Sequence, residues 1–276
     1  MTLLERTVGD VVDWLTSLPA AVLVVGWLFL ALLVAAVARV GVRALVPAGE
    51  QDRVPQIAMP LMPTLGAAFA IFAALSLASE ASYLRAAEGL VSDEAAAASR
   101  LAWAATSPRV RSEPIHAALQ DYLKTTRARE WDGELVSSAD DPATARAIAR
   151  LERSVRAEAA RPEPGSPAST ELLVSLDSVT SGRRARVAAA SRDVPTLYVV
   201  TLVASGLALI VNAGALIFHS SLRTSLLVVG VASVVGLSLA LLFALSAPWS
   251  GPFIVSGHPI DAVIGDLRSG FFGGGP

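Results

Sequence analysis

Four uncharged stretches, Trp14–Ala38, Val54–Ser79, Val194–Leu222 and Thr224 to about Ser246, constrain this chain more than any motif in it. A hydrocarbon core roughly 30 Å thick takes about 20 helical residues to cross, and inside it backbone polar groups must be paired within the segment. Each stretch is long enough, so four membrane helices are expected. Composition agrees: 53% of residues are hydrophobic and 17% charged, an excess that belongs to membrane proteins. Most of the charges fall between Glu80 and Asp193, so a wet region is expected between spans two and three.

The first span is not read as a secretory signal, although Ala36-Val37-Ala38 has the small-x-small form of a cleavage site. Its apolar stretch exceeds the 7 to 15 residues of a signal core, and Glu5, Asp10 and Asp13 stand where a cationic cluster would. Ahead of it, Leu4, Val8, Val11, Val12 and Leu15 recur at helical spacing, which predicts a short interfacial helix anchored by Trp14. Pro19 and Pro195 sit where a first helical turn tolerates proline. Pro55, Pro60 and Pro63 predict an irregular or kinked entry to span two.

The wet region is rich in Ala, Leu, Arg and Glu and shows no two-residue alternation, so it is expected to be helical throughout. One helix continues from span two through Trp103. A second runs from the Ser107-Pro108 and Ser112-Glu113-Pro114 breakers to about Trp131, and a third starts at Asp140-Asp141-Pro142. The turn-rich RPEPGSPAS, residues 161–169, is expected to link it to a fourth helix over Thr170–Ser191. The expected fold is thus an all-α membrane protein with four transmembrane helices and a helical cytoplasmic region inserted between spans two and three. Its parts are residues 1–84, 85–193, 194–247 and a turn with a short tail at 248–276.

Orientation follows from arginines near the span ends. Arg6, Arg85, Arg100, Arg183, Arg184, Arg186, Arg192 and Arg268 on one face outnumber Arg39, Arg43, Arg53 and Arg223 on the other. Both termini and the 85–193 region are therefore expected in the cytoplasm of a multi-pass plasma-membrane protein. Formal net charge is −2 and no basic tract interleaves with aromatics, which argues against nucleic acid as a partner. Cysteine is absent, which excludes disulfides and thiolate metal sites. His116, His219 and His258 are scattered, and no phosphate loop or nucleophile elbow occurs, so neither an enzyme nor a cofactor or metal site is expected. His219 reads as an ordinary interfacial histidine. No span centre carries an ionisable group, Asn212 being the most polar residue there, which counts against a coupled transporter.

Three stretches in this order resemble the bestrophin-like bacterial membrane family. The first is LVSDEAAAASRLAWAAT after span two, with Glu94-Ala95. The second is ALQDYLKTTRAREWDGEL, with Tyr122, Glu130 and Trp131; a partnered carboxylate in a helix contact is the expected role of Glu130. The third is the turn after span four, where Pro248-Trp249-Ser250-Gly251 stands in the place of the family's Pro-Phe-x-Gly, with Trp249 for the usual Phe. Bestrophins proper follow that turn with an acidic run that clasps calcium. Here the nearest carboxylates are Asp261 and Asp266, too few for the several oxygens calcium takes, so that role is not carried over. The turn reads equally as a helix stop with an aromatic anchor or as a gating or subunit contact.

The resemblance implies an oligomeric ion channel or pore, a pentamer passing small inorganic ions across the lipid bilayer, with span two around the pore. The alternative is a non-conducting scaffold or sensor acting through the cytoplasmic helices. At about 100° per residue, Leu65, Phe69, Phe72 and Ser76 share one side of span two and are expected to line the pore as apolar collars. Gly66, Ala70 and Ala74 on another side, and Gly230, Ser233 and Gly236 in span four, suit close helix packing within or between subunits.

Overall fold

The computed structural model describes residues 19–47, 53–131, 141–190, 196–216, 222–246, 248–249 and 252–273. The expected interfacial helix with Trp14, and likewise Pro195, His219 and Gly251, lie outside the described residues. The described chain is helical, in eight elements: α1 (Ala20–Leu45), α2 (Val54–Ala104), α3 (Ser112–Glu130), α4 (Pro142–Ala159), α5 (Gly165–Ala190), α6 (Thr196–Leu216), α7 (Leu222–Leu245) and α8 (His258–Ser269). Helices α1, α2, α6 and α7 are long and apolar enough to cross a membrane.

Local chemistry explains the ends. The Pro19 carbonyl accepts from the amides of Val22 and Leu23 and so opens α1. Helix α2 is a single 51-residue element, with Pro60 and Pro63 inside it, that runs on past the apolar span to Ala104. Asp141 caps α4: its carboxylate accepts from the Thr144 amide at 2.9 Å, and Pro142 fills a first-turn position that needs no donor. Gly165 takes φ 77°, a left-handed conformation that costs glycine little, and α5 starts there. The expected linker 161–169 is therefore shorter than the sequence suggested. Pro167 stops nothing, because a proline in the first helical turn removes no intrahelical bond.

Helix α8 is a departure from the expected short tail. Its signals were present: Pro259 in the first turn, Asp261 beside the N-terminal dipole, Arg268 in the last turn, and Gly270 at φ 74° as a left-handed stop.

The chain divides into two compact units, Met1–Tyr83 with Asp193–Phe253, and Leu84–Arg192 with Ile254–Pro276. In the first, the apolar unit, α1, α6 and α7 pack on one another, with Phe69 and Ala73 of α2 joining a core that includes Leu202, Ile210, Ala232, Val235 and Leu242. Gly236 permits the closest approach: a Cβ there would lie 2.9 Å from the Trp27 carbonyl oxygen and 3.1 Å from Leu28 Cα. Beside it the Trp27 and Phe243 rings stack at 5.1 Å. In the second, the polar unit, α4 packs on α3 and α5, and α8 packs on α3.

Candidate functional site

Along α5, Leu172, Leu176 and Val179 form a buried stripe at helical spacing, and the next two positions of that stripe are Arg183 and Arg186. On α3 the buried stripe Ile115, Leu119, Tyr122, Thr126 ends in Glu130. On α2, Val91, Ala98 and Leu101 are buried, and Glu94 lies between them with none of its surface exposed. Three helices thus bring two carboxylates, two guanidiniums and a phenol into the core of the polar unit. Uncompensated, such burial costs several kcal/mol per ion.

The groups compensate one another. Arg186 Nε donates to Glu94 Oε2 at 2.5 Å, and Arg183 Nη1 donates to Glu130 Oε1 at 2.7 Å. Arg186 Nη1 also lies 2.5 Å from Glu130 Oε2, an ionic contact rather than an aligned hydrogen bond. The Tyr122 hydroxyl donates to Glu94 Oε1. Burial, followed by the Glu94 charge, pushes the Tyr122 phenol far above its ordinary range, so it stays a neutral donor. Burial pulls the Arg186 guanidinium down, but the Glu94 and Glu130 carboxylates outweigh it and the net shift is upward. The same balance, with Glu130 opposing burial, raises Arg183.

Gly182 makes room for this contact, since a Cβ there would sit 3.2 Å from Glu94 Cα. Trp131 closes the network on its other side. Arg186 Cζ lies 5.2 Å and Arg127 Cζ 6.0 Å from its ring centre, within the range of cation–π attraction. Its indole N–H donates to the Val255 carbonyl at 2.8 Å. Arg127 Nε reaches Asp261 of α8 at 3.2 Å. The segment that leads into α8 is thereby tied to α3, and Gly257 leaves room for Arg127, whose Nε would lie 2.7 Å from an added Cβ.

With two carboxylates set against two guanidiniums, this arrangement positions helices. Among the described residues no three His, Asp or Glu side chains are grouped to hold a metal ion. The structure thus joins Glu94, Tyr122, Glu130 and Trp131 of the sequence motifs into one site. Their partners Arg183 and Arg186 were missed as site residues, because the sequence reading used them only as charges flanking a span.

The other sequence candidates lie apart from this site. In the apolar unit, Phe69 and Ser76 are buried, Leu65 is partly buried against the core, and Phe72 is 39% exposed. Ala70 and Ala74 are exposed, and Gly66 is half-buried with nothing within 4 Å of an added Cβ. Pro248 and Trp249 are buried in the turn after α7. His116 Nε2 lies 3.0 Å from the Ala102 carbonyl oxygen, and His258 is exposed at the start of α8.

A further buried acid, Glu158 of α4, accepts from the Arg111 amide at 2.8 Å and from Arg111 Nε at 3.0 Å, and pairs with Arg161. Burial pushes its pKa up, but these donors outweigh burial and hold it below the usual carboxylate range. A carboxyl depressed in the folded state adds stability that is complete above its unfolded pKa of about 4.3 and is lost as pH falls through the lower folded value. Glu158→Gln is therefore expected to lower the unfolding temperature at pH 7 yet shrink its drop between about pH 5 and 3. A thermal melt series across that window checks both effects.

A family model of the Bestrophin-like domain matches residues 29–260. No curated protein matches the sequence. A solved bacterial bestrophin homologue from Klebsiella pneumoniae carrying a point substitution superposes with a TM-score of 0.69 at 13% identity, over 89% of this chain and 99% of that one. A second variant of a bestrophin homologue from that organism gives 0.66 at 14% identity, over 89% and 98% of the two chains. Another structure, described as a membrane protein, gives 0.69 at 13% over 91% and 99%. At such identities the likeness is one of fold, but the domain match covers most of the sequence: the chain belongs to the Bestrophin-like family.

Proposed function

We propose that the protein is a subunit of a homo-pentameric ion channel of the plasma membrane, with α2 around the pore and both termini and the polar unit in the cytoplasm. The observation that carries this reading is the Bestrophin-like domain over residues 29–260 on a fold shared with nearly the whole of solved bestrophin homologues. The surface of α2 supports it. Ala70 and Ala74 are exposed and Gly66 has open space at its Cβ position, and small residues let a helix of a second copy approach closely. Exposed Ile71, Phe72 and Leu75 supply apolar bulk for a constriction that closes by expelling water.

Purified protein in a planar bilayer is expected to give discrete current steps, and its mass in nanodiscs to be about five times that of the 28.6 kDa chain. Phe72→Ala is expected to raise ion flux in liposomes severalfold. Phe69→Ala acts first on packing, because Phe69 fills the core beside Gly206 and losing a buried Phe costs about 3–5 kcal/mol. A cysteine placed at exposed Lys124 in this cysteine-free chain is expected to be labelled from the inside alone. Intact oligomer that passes no current would favour the scaffold or sensor reading.

A further inference from the structure

Helix α2 carries two prolines, Pro60 and Pro63, near the start of its apolar part. Each lacks the N–H that would pair with the carbonyl four residues earlier, and each ring crowds that carbonyl. Prolines are tolerated at membrane depth when a neighbouring helix satisfies backbone groups that the distortion loosens. The carbonyls that lose a donor in this way are those of Gln56 and Met59, and a neighbouring helix bonds the Ala58 carbonyl that lies between them. Asn212 of α6 is buried, and its Nδ2 donates to the Ala58 carbonyl at 3.0 Å. The same nitrogen lies 3.5 Å from Met62 Sδ, so one amide holds α2 on both sides of Pro60. Because a carbonyl can only accept, the contact fixes which way the Asn212 amide faces.

The surroundings isolate this contact. Leu209, Ile210 and Ala213, the neighbours of Asn212, are apolar and belong to the core. Ala58 is itself buried, whereas Pro60 and Pro63 are exposed. Thus the weakened turn is held from one side by one polar side chain, across 154 residues of sequence. The apolar contacts beside that bond have little direction, so the bond gives the turn its place.

We infer that Asn212 is a latch that holds the Pro60–Pro63 turn of α2 against α6, and that its release lets the start of α2 swing and changes ion passage. The second half of this statement rests on the channel reading; the first does not. An interhelical bond of this kind sets the scale, since such bonds shift equilibria by about three- to tenfold.

The absence of native cysteine gives a direct test in the full-length protein reconstituted in liposomes. A cysteine at Ala58 is expected to react slowly with a water-soluble maleimide, and about three- to tenfold faster once Asn212→Leu removes the donor. A cysteine at Ala73, buried on the same helix against the core, is expected to be unaffected. Pro60→Ala with Pro63→Ala restores both N–H groups, and in that background Asn212→Leu is expected to change the Ala58 site by less than about twofold. Equal acceleration at Ala58 and Ala73, no acceleration at Ala58, or a full effect in the proline-free background overturns the latch. If Asn212→Leu does not fold, Asn212→Ser, whose hydroxyl is too short to span the gap, is expected to give the same contrast and is judged by the same outcomes. Ion flux is read on the same vesicles. Flux that changes with Asn212→Leu supports the second half and unchanged flux refutes it. Silence of the wild type refutes the channel reading while the thiol result still decides the latch.

Discussion

Glu94→Ala is expected to lower the unfolding midpoint of the polar unit by about 10–20 °C. The substitution strips Arg186 of the carboxylate it meets at 2.5 Å and leaves the Tyr122 hydroxyl without its acceptor. A guanidinium that is 3% exposed cannot recover its water by moving a little. Breaking one partner out of a buried pair costs about 3–5 kcal/mol, and a domain of this size loses a few degrees per kcal/mol. Removing both charges is a different experiment, because apolar residues of similar volume in place of a buried pair are often neutral. Glu94→Met with Arg186→Met is therefore expected to be more stable than Glu94→Ala alone, and Glu130 keeps Arg183 as its partner. Scanning calorimetry on the detergent-solubilised protein measures both variants. Additive losses would refute the account of Glu94 and Arg186 as a coupled pair.

In the apolar unit a large effect is also expected at Gly236. Gly236→Ala sets a methyl carbon 2.9 Å from a backbone oxygen of α1 and 3.1 Å from Leu28 Cα. Neither atom belongs to a side chain that can turn away, so α1 and α7 must separate and the Trp27–Phe243 stack must open. Overpacking of this kind costs about 1–3 kcal/mol, and Gly236→Leu is expected to prevent recovery of folded protein. Gly230, earlier on the same helix, has nothing within 4 Å of an added Cβ. Gly230→Ala is expected to be neutral or to stabilise by up to about 1 kcal/mol through helix propensity. Comparing melting temperatures of the two alanine variants separates close packing from a general aversion to side chains in α7; equal losses would remove the packing argument.

The spans were legible because an uncharged run of membrane length has few other readings, and the continuation of α2 through Trp103 was legible because no breaker interrupts it. The chemistry of Glu94, Tyr122 and Glu130 was visible only as motif residues. Periodicity could have gone further: Arg183 and Arg186 extend the stripe of Leu172, Leu176 and Val179, and an arginine on an apolar stripe asks for an acid opposite. Which acid could not be read, because Arg186 and Glu94 are 92 residues apart and helix periodicity carries no information on helix order. Of the side of α2 expected to line the pore, Phe69 and Ser76 are buried and Phe72 is exposed, because which face the chain covers depends on α6 and α7. Gly206 opens a place for Phe69, so a bulky residue is buried while the small ones stay open. The linker 161–169 was overestimated because breaker counting ignores that Gly165 and Pro167 suit the first turn of a helix.

The 92 residues between Glu94 and Arg186 also set a schedule for biosynthesis. At roughly 5–20 residues per second, the carboxylate leaves the ribosome about 5–20 s before the guanidinium that will neutralise it. Tyr122 emerges in the interval, but a phenol balances no charge. Glu94 therefore stays hydrated, and the α2–α3 surface stays open, until α5 has been made. A ribosome stalled between Glu130 and Arg183 leaves both acids of the site unmatched, their carboxylates held in water rather than in a core.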